Sequence, residues 1–310
     1  MQIENIGVNN LINGIINVYK EKGYTSHDVV AKMRGILKQK KIGHTGTLDP
    51  DAEGVLPVCL GNGTKLCDMI TDKNKTYEAV LLLGITTDTQ DITGSILSTS
   101  EVKADRKQIE EAIMSFIGEY DQLPPMYSAI KIGGKKLYEL AREGKEVERQ
   151  PRKVWIHNIQ ILNIDEKNHE IKMIVECSKG TYIRTLCHDI GAKLNCGGCM
   201  KSLLRTRVGQ FTIANSLKLA EISEKLLKGN LLEYCIAVDE MFPEYPKVTV
   251  QEQFSKYIYN GNPFHIKHTT ESNPNKDQIQ VRVYDWQNHF VGIYEYSKKE
   301  QIYKPIKLFL

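Results

Sequence analysis

Long apolar runs are missing from this chain. The longest unbroken one, Ala79–Leu83, stops at Gly84, far short of the roughly 20 residues a membrane-spanning helix needs. The N-terminal residues Met1-Gln2-Ile3-Glu4-Asn5 lack the basic and apolar regions of a secretory signal, so the expectation is a protein that stays in the cytoplasm. Cysteine is sparse: seven residues, an odd number, lie between Cys59 and Cys235, which fits a reduced compartment and core packing better than a disulfide framework. Cys196-Gly-Gly-Cys199 is the one close pair, and no second pair or matching histidines complete a zinc site. Gly-x-x-x-x-Gly-Lys-Ser/Thr, His-Glu-x-x-His and Gly-x-Ser-x-Gly are all missing, which removes the common nucleotide hydrolases, zinc proteases and serine esterases. Disorder is excluded as well, because charged residues are 25% and hydrophobic ones 41% of the chain, an ordinary globular balance.

What is present begins with 310 residues, enough for two domains. The net charge of +3 is unevenly placed. Segment 32–41 holds Lys32, Arg34, Lys38, Lys40 and Lys41 with no acid; 131–153 holds eight bases against four glutamates; 179–207 holds six bases against Asp189 alone. Three such tracts leave the remainder of the chain at −11 and point to a polyanion surface assembled by the fold, although any one of them reads equally as a solvated helix face.

Periodicity predicts a strand over 11–20 and a helix that opens at Ser26 as N-cap, with Val29, Val30, Met33, Ile36 and Leu37 at helical spacing. The stretch Gly43–Pro50, with Gly54 and Pro57 beyond it, is too rich in turn formers for a regular element and is expected to be a loop. A buried strand follows over 77–85, a helix over 107–117, paired strands over 154–164 and 170–178, and a helix after Lys179-Gly180. Segment 124–153, bounded by prolines and holding Gly133-Gly134, reads as a basic excursion from the main body. Near residue 245 helical periodicity ends, and short alternating runs at 247–250, 279–284, 290–296 and 302–308 suggest a small β-barrel.

The Gly43–Pro50 loop places His44 and Asp49 among glycines, where the backbone can approach a ligand and an Asp before Pro is held extended. Here the sequence resembles a known family. Gly43-His44-Thr45-Gly46-Thr47-Leu48-Asp49-Pro50, Lys75-Thr76-Tyr77, Thr87-Asp88-Thr89-x-Asp91-x-x-Gly94, Pro125-Met126-Tyr127-Ser128-Ala129-x-Lys131, Gly134-Lys135-Lys136-Leu137-Tyr138 and Cys177-Ser178-Lys179-Gly180-Thr181-Tyr182-Ile183-Arg184 together are similar to the motifs of the TruB family, the bacterial tRNA pseudouridine-55 synthases, in the same order. The resemblance implies an α+β fold with a mixed, largely antiparallel central sheet flanked by helices, spanning residues 1–244, and a PUA-like RNA-binding barrel over 245–310. It implies isomerisation of a T-loop uridine of tRNA to pseudouridine with no cofactor and no metal. It matches Asp49 to the catalytic aspartate, Tyr77 to the tyrosine that packs on the target base and Arg184 to the arginine paired with the aspartate. His44, Tyr182 and Leu203 match substrate-contacting positions, and the basic side chains Lys20, Lys131, Arg142 and Arg205 join them as candidate RNA contacts. The partner implied is tRNA, held at the T-arm by 124–153 and at the acceptor end by the terminal barrel, with no membrane and no required protein partner, and the protein is expected to be a monomer.

The residue types suit that chemistry. Cleaving a C–N glycosidic bond develops positive character on the ribose, which a carboxylate can stabilise, attack or relieve of a proton. Burial raises a carboxylate pKa and a nearby guanidinium lowers it, the part that falls to Arg184. A flipped base needs an aromatic face to stack on and a group to fill its vacated place, which suit Tyr77 and His44. Two departures stand out: Leu203-Leu204-Arg205-Thr206 where the family usually reads Leu-Arg-Arg-Thr, and Cys199 where a histidine is common. Two rival readings stay open, a synthase of the same kind working in a guide-RNA particle and a non-catalytic RNA-binding or RNA-folding protein.

Overall fold

A computed structural model describes residues 11–271 and 277–310; the Met1–Asn5 segment lies outside them. A ten-stranded sheet forms the main body. Its first elements are strand β1 (Gly14–Lys20), helix α1 (Ser26–Leu37), strand β2 (Ile42–His44), strand β3 (Glu53–Leu60) and strand β4 (Lys75–Leu83). Across the sheet the order is Cys235–Ile236, β1, β3, Gly198–Val208, β4, Glu170–Cys177, Arg152–Asp165 and Gly118–Gln122, with β2 paired to β3 and Phe211–Thr212 to Gly198–Val208.

Every pairing in this sheet is antiparallel except one: β3 runs parallel to strand 198–208 through Leu204↔Glu53 and Arg205↔Gly54. That seam demands a glycine. Gly54 has φ +107°, and a Cβ on it would fall 2.2 Å from the Arg205 carbonyl oxygen, a clash with backbone that nothing can relieve.

On one side of the seam, Ile171, Met173, Val175 and Cys177 point into a cluster with Leu81, Leu186 and Ile190, as their alternation predicts. On the other side α1 packs Val29, Val30 and Met33 against Ile16, Val18, Leu56 and Val58. All seven cysteines are free thiols, five of them buried.

From Lys247 a second, five-stranded sheet begins, ordered Lys247–Thr249, Ile279–Tyr284, Phe290–Ser297, Ile302–Leu308 and Phe264–His265. It curls until its ends meet at a Val250↔Thr269 bridge. The curled sheet does not stand apart, since Ile293 and Phe309 share a cluster with Ile15, Val55, Cys59 and Phe211 of the main body.

Three details differ from the sequence expectations. Thr25, not Ser26, caps α1: its Oγ1 accepts the Asp28 N–H at 3.0 Å while Asp28 Oδ2 accepts the Thr25 N–H at 2.8 Å, a capping box. Ser26 Oγ instead accepts the Leu48 N–H at 2.9 Å and ties the helix start to the loop before β3. Gly43 and His44 end β2 and Gly54 and Pro57 lie in β3, so only the stretch between them is a loop. The proline still punctuates: pairing of β2 with β3 ends at His44↔Val58, and the Pro57 carbonyl accepts the Thr45 N–H and Oγ1–H, both at 3.2 Å, where a proline could donate nothing.

Candidate active site

The parallel seam is where the polar residues gather. Asp49 sits in the loop entering β3, Tyr77 on β4, Arg205 on the strand between them, and Arg184 in the first turn of the helix Ile183–Lys193. The Gln122 side chain fixes that helix start, accepting the Tyr182 N–H at 2.7 Å and donating to the Tyr182 carbonyl at 3.0 Å.

Arg184, with its side chain 7% exposed, places Nε 3.1 Å from Asp49 Oδ2. Its other donors are also engaged, Nη2 with the Tyr127 carbonyl at 2.8 Å and Nη1 with the Thr89 carbonyl at 3.2 Å, while Asp91 Oδ2 lies 3.5 Å from Nη1. A guanidinium held by two carbonyls and flanked by two carboxylates cannot swing away, so the orientation of Asp49 is preset.

Two-fifths of the Asp49 side chain remains open to solvent, yet the carboxylate sits low among protein atoms. Desolvation therefore raises its pKa above the usual carboxylate value, opposed chiefly by Arg184 and then by Lys20.

Lys20 and Arg205 are placed differently from the substrate contacts expected of them. Lys20 is wholly buried and its ammonium donates to the carbonyls of Ala52 at 2.5 Å, Pro50 at 3.0 Å and Glu21 at 3.2 Å. Arg205, 1% exposed, donates to the carbonyls of Val55 at 2.7 Å, Gly46 at 3.3 Å and Thr47 at 3.5 Å. Both clamp the main chain of the Asp49 loop from below. Burial lowers the Lys20 pKa to about 8, the expected direction for a desolvated ammonium.

Tyr77 lies beside Arg205 in the sheet register, is 8% exposed, and has its phenol pKa raised by burial. Leu203, opposite Ala79, is half-buried against the main cluster. Tyr182 is half-buried at the helix start. His44 meets the His27 ring edge-on at 5.1 Å, and its buried Nδ1 has no partner in the protein. Burial, then His27 and Arg205, lower its pKa, so the imidazole is neutral at pH 7.

Lys131 and Arg142 stand away from this cluster, both exposed, on the hairpin Lys131–Ile132/Lys135–Lys136 and the helix Leu137–Arg142. Arg142 lies over the Tyr138 ring at 5.4 Å. One acid was not singled out from the sequence: Asp91, which faces Arg184 and is itself bonded by Thr89 Oγ1 at 2.8 Å and the Thr93 N–H at 2.9 Å. The spacing Thr87-Asp88-Thr89-x-Asp91 was its signal. Among the described residues no group of three or more His, Cys, Asp or Glu side chains could hold a metal ion.

The site so built is a recessed carboxylate locked on a buried guanidinium beside a buried tyrosine. Comparison with known proteins gives the class. Residues 34–183 match the TruB family pseudouridylate synthase N-terminal domain and residues 184–241 the tRNA pseudouridylate synthase B C-terminal domain. A tRNA pseudouridine synthase B of Lachnoclostridium phytofermentans is 57% identical over 308 residues, covering 96% of this chain and 100% of its own. One of Clostridium kluyveri is 48% identical over 300 residues, with 96% and 100% covered. The crystal structure of a Cbf5-Nop10-Gar1 complex superposes with a TM-score of 0.69 at 25% identity over 96% of this chain and 85% of that one. The chain belongs to the TruB family of pseudouridylate synthases.

Proposed function

We propose that the protein isomerises the T-loop uridine of tRNA, position 55, to pseudouridine. The observation that carries this reading is the Asp49–Arg184 pair at 3.1 Å, recessed beside Tyr77 at the seam of the sheet. The reaction breaks the bond between N1 of uracil and C1′ of the ribose and forms one from C5 to C1′; C5 loses a proton and N1 gains one, so the product has the atoms of the substrate and nothing is oxidised.

Asp49 has to be ionised to stabilise or attack the electron-poor centre, and Arg184 favours that form against desolvation. Tyr77 offers the flipped uracil an aromatic face, and neutral His44 offers a ring to the gap left in the T-loop, which offsets an unstacking cost of a few kcal/mol. Lys20, Arg205 and Asp91 act through others: the first two fix the Asp49 loop, the last fixes Arg184. Tyr182 and Leu203 complete the pocket wall, while Lys131 and Arg142 meet phosphates. Segments 1–244 and 245–310 divide the work, the first catalytic and the second a PUA-like sheet that touches the acceptor end. No protein partner is needed, the working unit is a monomer, and a tRNA substrate places it in the cytoplasm.

The test is incubation of the purified protein with an unmodified tRNA transcript, without added metal or nucleotide, followed by chemical mapping of pseudouridine. Product at the T-loop uridine with the wild type, and none with Asp49→Asn at tRNA affinity within a few-fold, is the expected outcome. Full activity of Asp49→Asn would remove the mechanism, and binding without product would favour a non-catalytic RNA binder.

A further inference from the structure

One basic tract lies beside the site yet takes no part in it. His27, Ala31 and Arg34 follow on α1 at steps of four and three, which sets them on one helix face, and Lys38 caps its C-terminal end; all four are exposed. That face leans on β2. His27 touches the His44 ring edge-on at 5.1 Å, and Arg34 donates from Nε to the Lys40 carbonyl at 3.0 Å and from Nη2 to the Ile42 carbonyl at 3.2 Å. Lys40 and Lys41, also exposed, continue the line toward β2, and the Lys41 ammonium donates to Asn62 Oδ1, a neutral partner, at 2.9 Å.

No carboxylate pairs with Lys38, Lys40 or Lys41 among the described residues. Asp28, the one acid on α1, is engaged in the Thr25 capping box. A helix end rich in bases is ordinarily a solvated face that complements the helix dipole. What sets this one apart is where it leads: from Lys41 the chain runs straight into His44, whose buried Nδ1 has no partner, about 10 Å away at three residues of strand.

We infer that the α1 face and the turn after it form a phosphate-binding rail for the RNA strand on the His44 side of the site, separate from segment 124–153, which joins the site on the Arg184 side through the Tyr127 carbonyl. This rests on the tRNA reading above. From His27 to Lys38 the rail is about 16 Å long at the helical rise, enough to run beside several phosphates of one strand, whose charges fall roughly every 3.4 Å along a duplex axis. Arg34 stiffens the rail through its carbonyl bonds, and Lys38, Lys40 and Lys41 supply the charge.

The double variant Lys38→Asn with Lys41→Gln tests it. Lys38 holds a left-handed conformation at φ 51°, which asparagine tolerates, and glutamine keeps a donor within reach of Asn62. In tRNA binding measured across a salt series, the slope of log K against log salt is expected to shrink by about 1.5, at roughly 0.7 to 0.9 per lost phosphate contact. Affinity at moderate salt falls about tenfold, and the rate at saturating tRNA stays unchanged. Lys40→Gln alone is expected to shrink the slope by about half as much.

As a control, Lys103→Asn with Lys107→Gln removes two exposed lysines that sit by Glu101 and Glu111 and should leave the slope as it is. Wild-type slope and affinity in both rail variants would overturn the rail, as would an equal loss in the control, which would reduce the effect to net charge. Failure of the wild type to make pseudouridine would instead strike the functional reading, so the two failures are distinguishable.

Discussion

Segments 131–153 and 179–207 carry nearly the same excess of positive charge, and the fold engages all of one but only part of the other. In 179–207 every base finds a partner within the protein. Arg184 and Arg205 are buried at the seam; Lys179 pairs with Asp72, Lys201 with Glu170 and Arg207 with Glu176; Lys193 donates to Ser115. In 131–153, Lys135 and Lys145 share Glu143, Arg149 meets Glu146, Lys153 meets Glu119 and Lys136 donates to the Tyr138 hydroxyl, while Lys131, Arg142 and Arg152 have no acidic partner among the described residues. The first set is engaged throughout, whereas half of the second is paired and its exposed, unpaired cations Lys131, Arg142 and Arg152 face outward. Charge excess along a sequence therefore says little about which cations a polyanion can reach until strand and helix faces are known.

The largest effect is expected from breaking the inner set at its centre. Arg184→Lys keeps the charge but loses the fork that serves Asp49, Tyr127 and Thr89 together. We expect the rate at saturating tRNA to fall about 10²- to 10³-fold, the size of losing one preorganised electrostatic contact. The pH profile gives a second readout. Burial raises the Asp49 pKa and Arg184 opposes that rise, so weakening this chief stabilising cation should move the acid limb of the rate to higher pH than in the wild type. A limb that stays put would mean Arg184 does not set the ionisation of Asp49.

Much of this was readable from the sequence, and the exceptions share a cause. Strand 170–177 alternates cleanly, so its faces follow from pattern alone. Strand 198–208 was not foreseen: its register shifts between Met200 and Ser202 and again between Arg205 and Arg207, and each bulge flips the alternation that pattern reading depends on. The Asp49–Arg184 meeting came from ordered motifs 135 residues apart, which no local periodicity could supply. The burial of Lys20 was illegible for a related reason. It ends β1 as a base before the turn at Lys22–Gly23 and looks exposed until the Asp49 loop is folded over it.

Lys20→Met sharpens the same comparison from within the inner set. Removing the ammonium leaves the Pro50 and Ala52 carbonyls without their donor and withdraws a cation that lowers the Asp49 pKa. We expect about a tenfold loss of rate with the acid limb shifted up, a smaller effect than at Arg184 because Lys20 does not touch Asp49. Stability has its own sign. A folded pKa of about 8 against an ordinary 10.5 means the folded protein binds fewer protons than the unfolded chain between those values, so this contribution to stability rises with pH across that window and is flat below it. Lys75, also lowered to about 8, behaves the same way. Buried thiols and phenols with raised pKa values push stability the other way over the same range, so the readout is the difference: the denaturant midpoint of the wild type should gain on that of Lys20→Met as pH rises from 8 to 10, and a constant difference would show that Lys20 is not the desolvated cation it is taken to be.

The outer set should give the smallest effect and the most diagnostic one. Lys131→Ala with Arg142→Ala removes two exposed cations, and Arg142 also lies over the Tyr138 ring, so some loosening of the helix Leu137–Arg142 is built in. Neither side chain approaches Asp49, and the rate at saturating tRNA should hold within about twofold. The tRNA concentration for half-maximal rate should rise a few-fold at low salt and less at high salt, with the binding slope smaller by about 1.5, the share of two phosphate contacts. Arg207→Gln is the matched comparison from the other segment: it removes a charge of the same sign, but one already neutralised by Glu176, so its slope should equal that of the wild type. If instead Arg207→Gln flattened the slope and the outer pair did not, the roles assigned to the two segments would have to be exchanged.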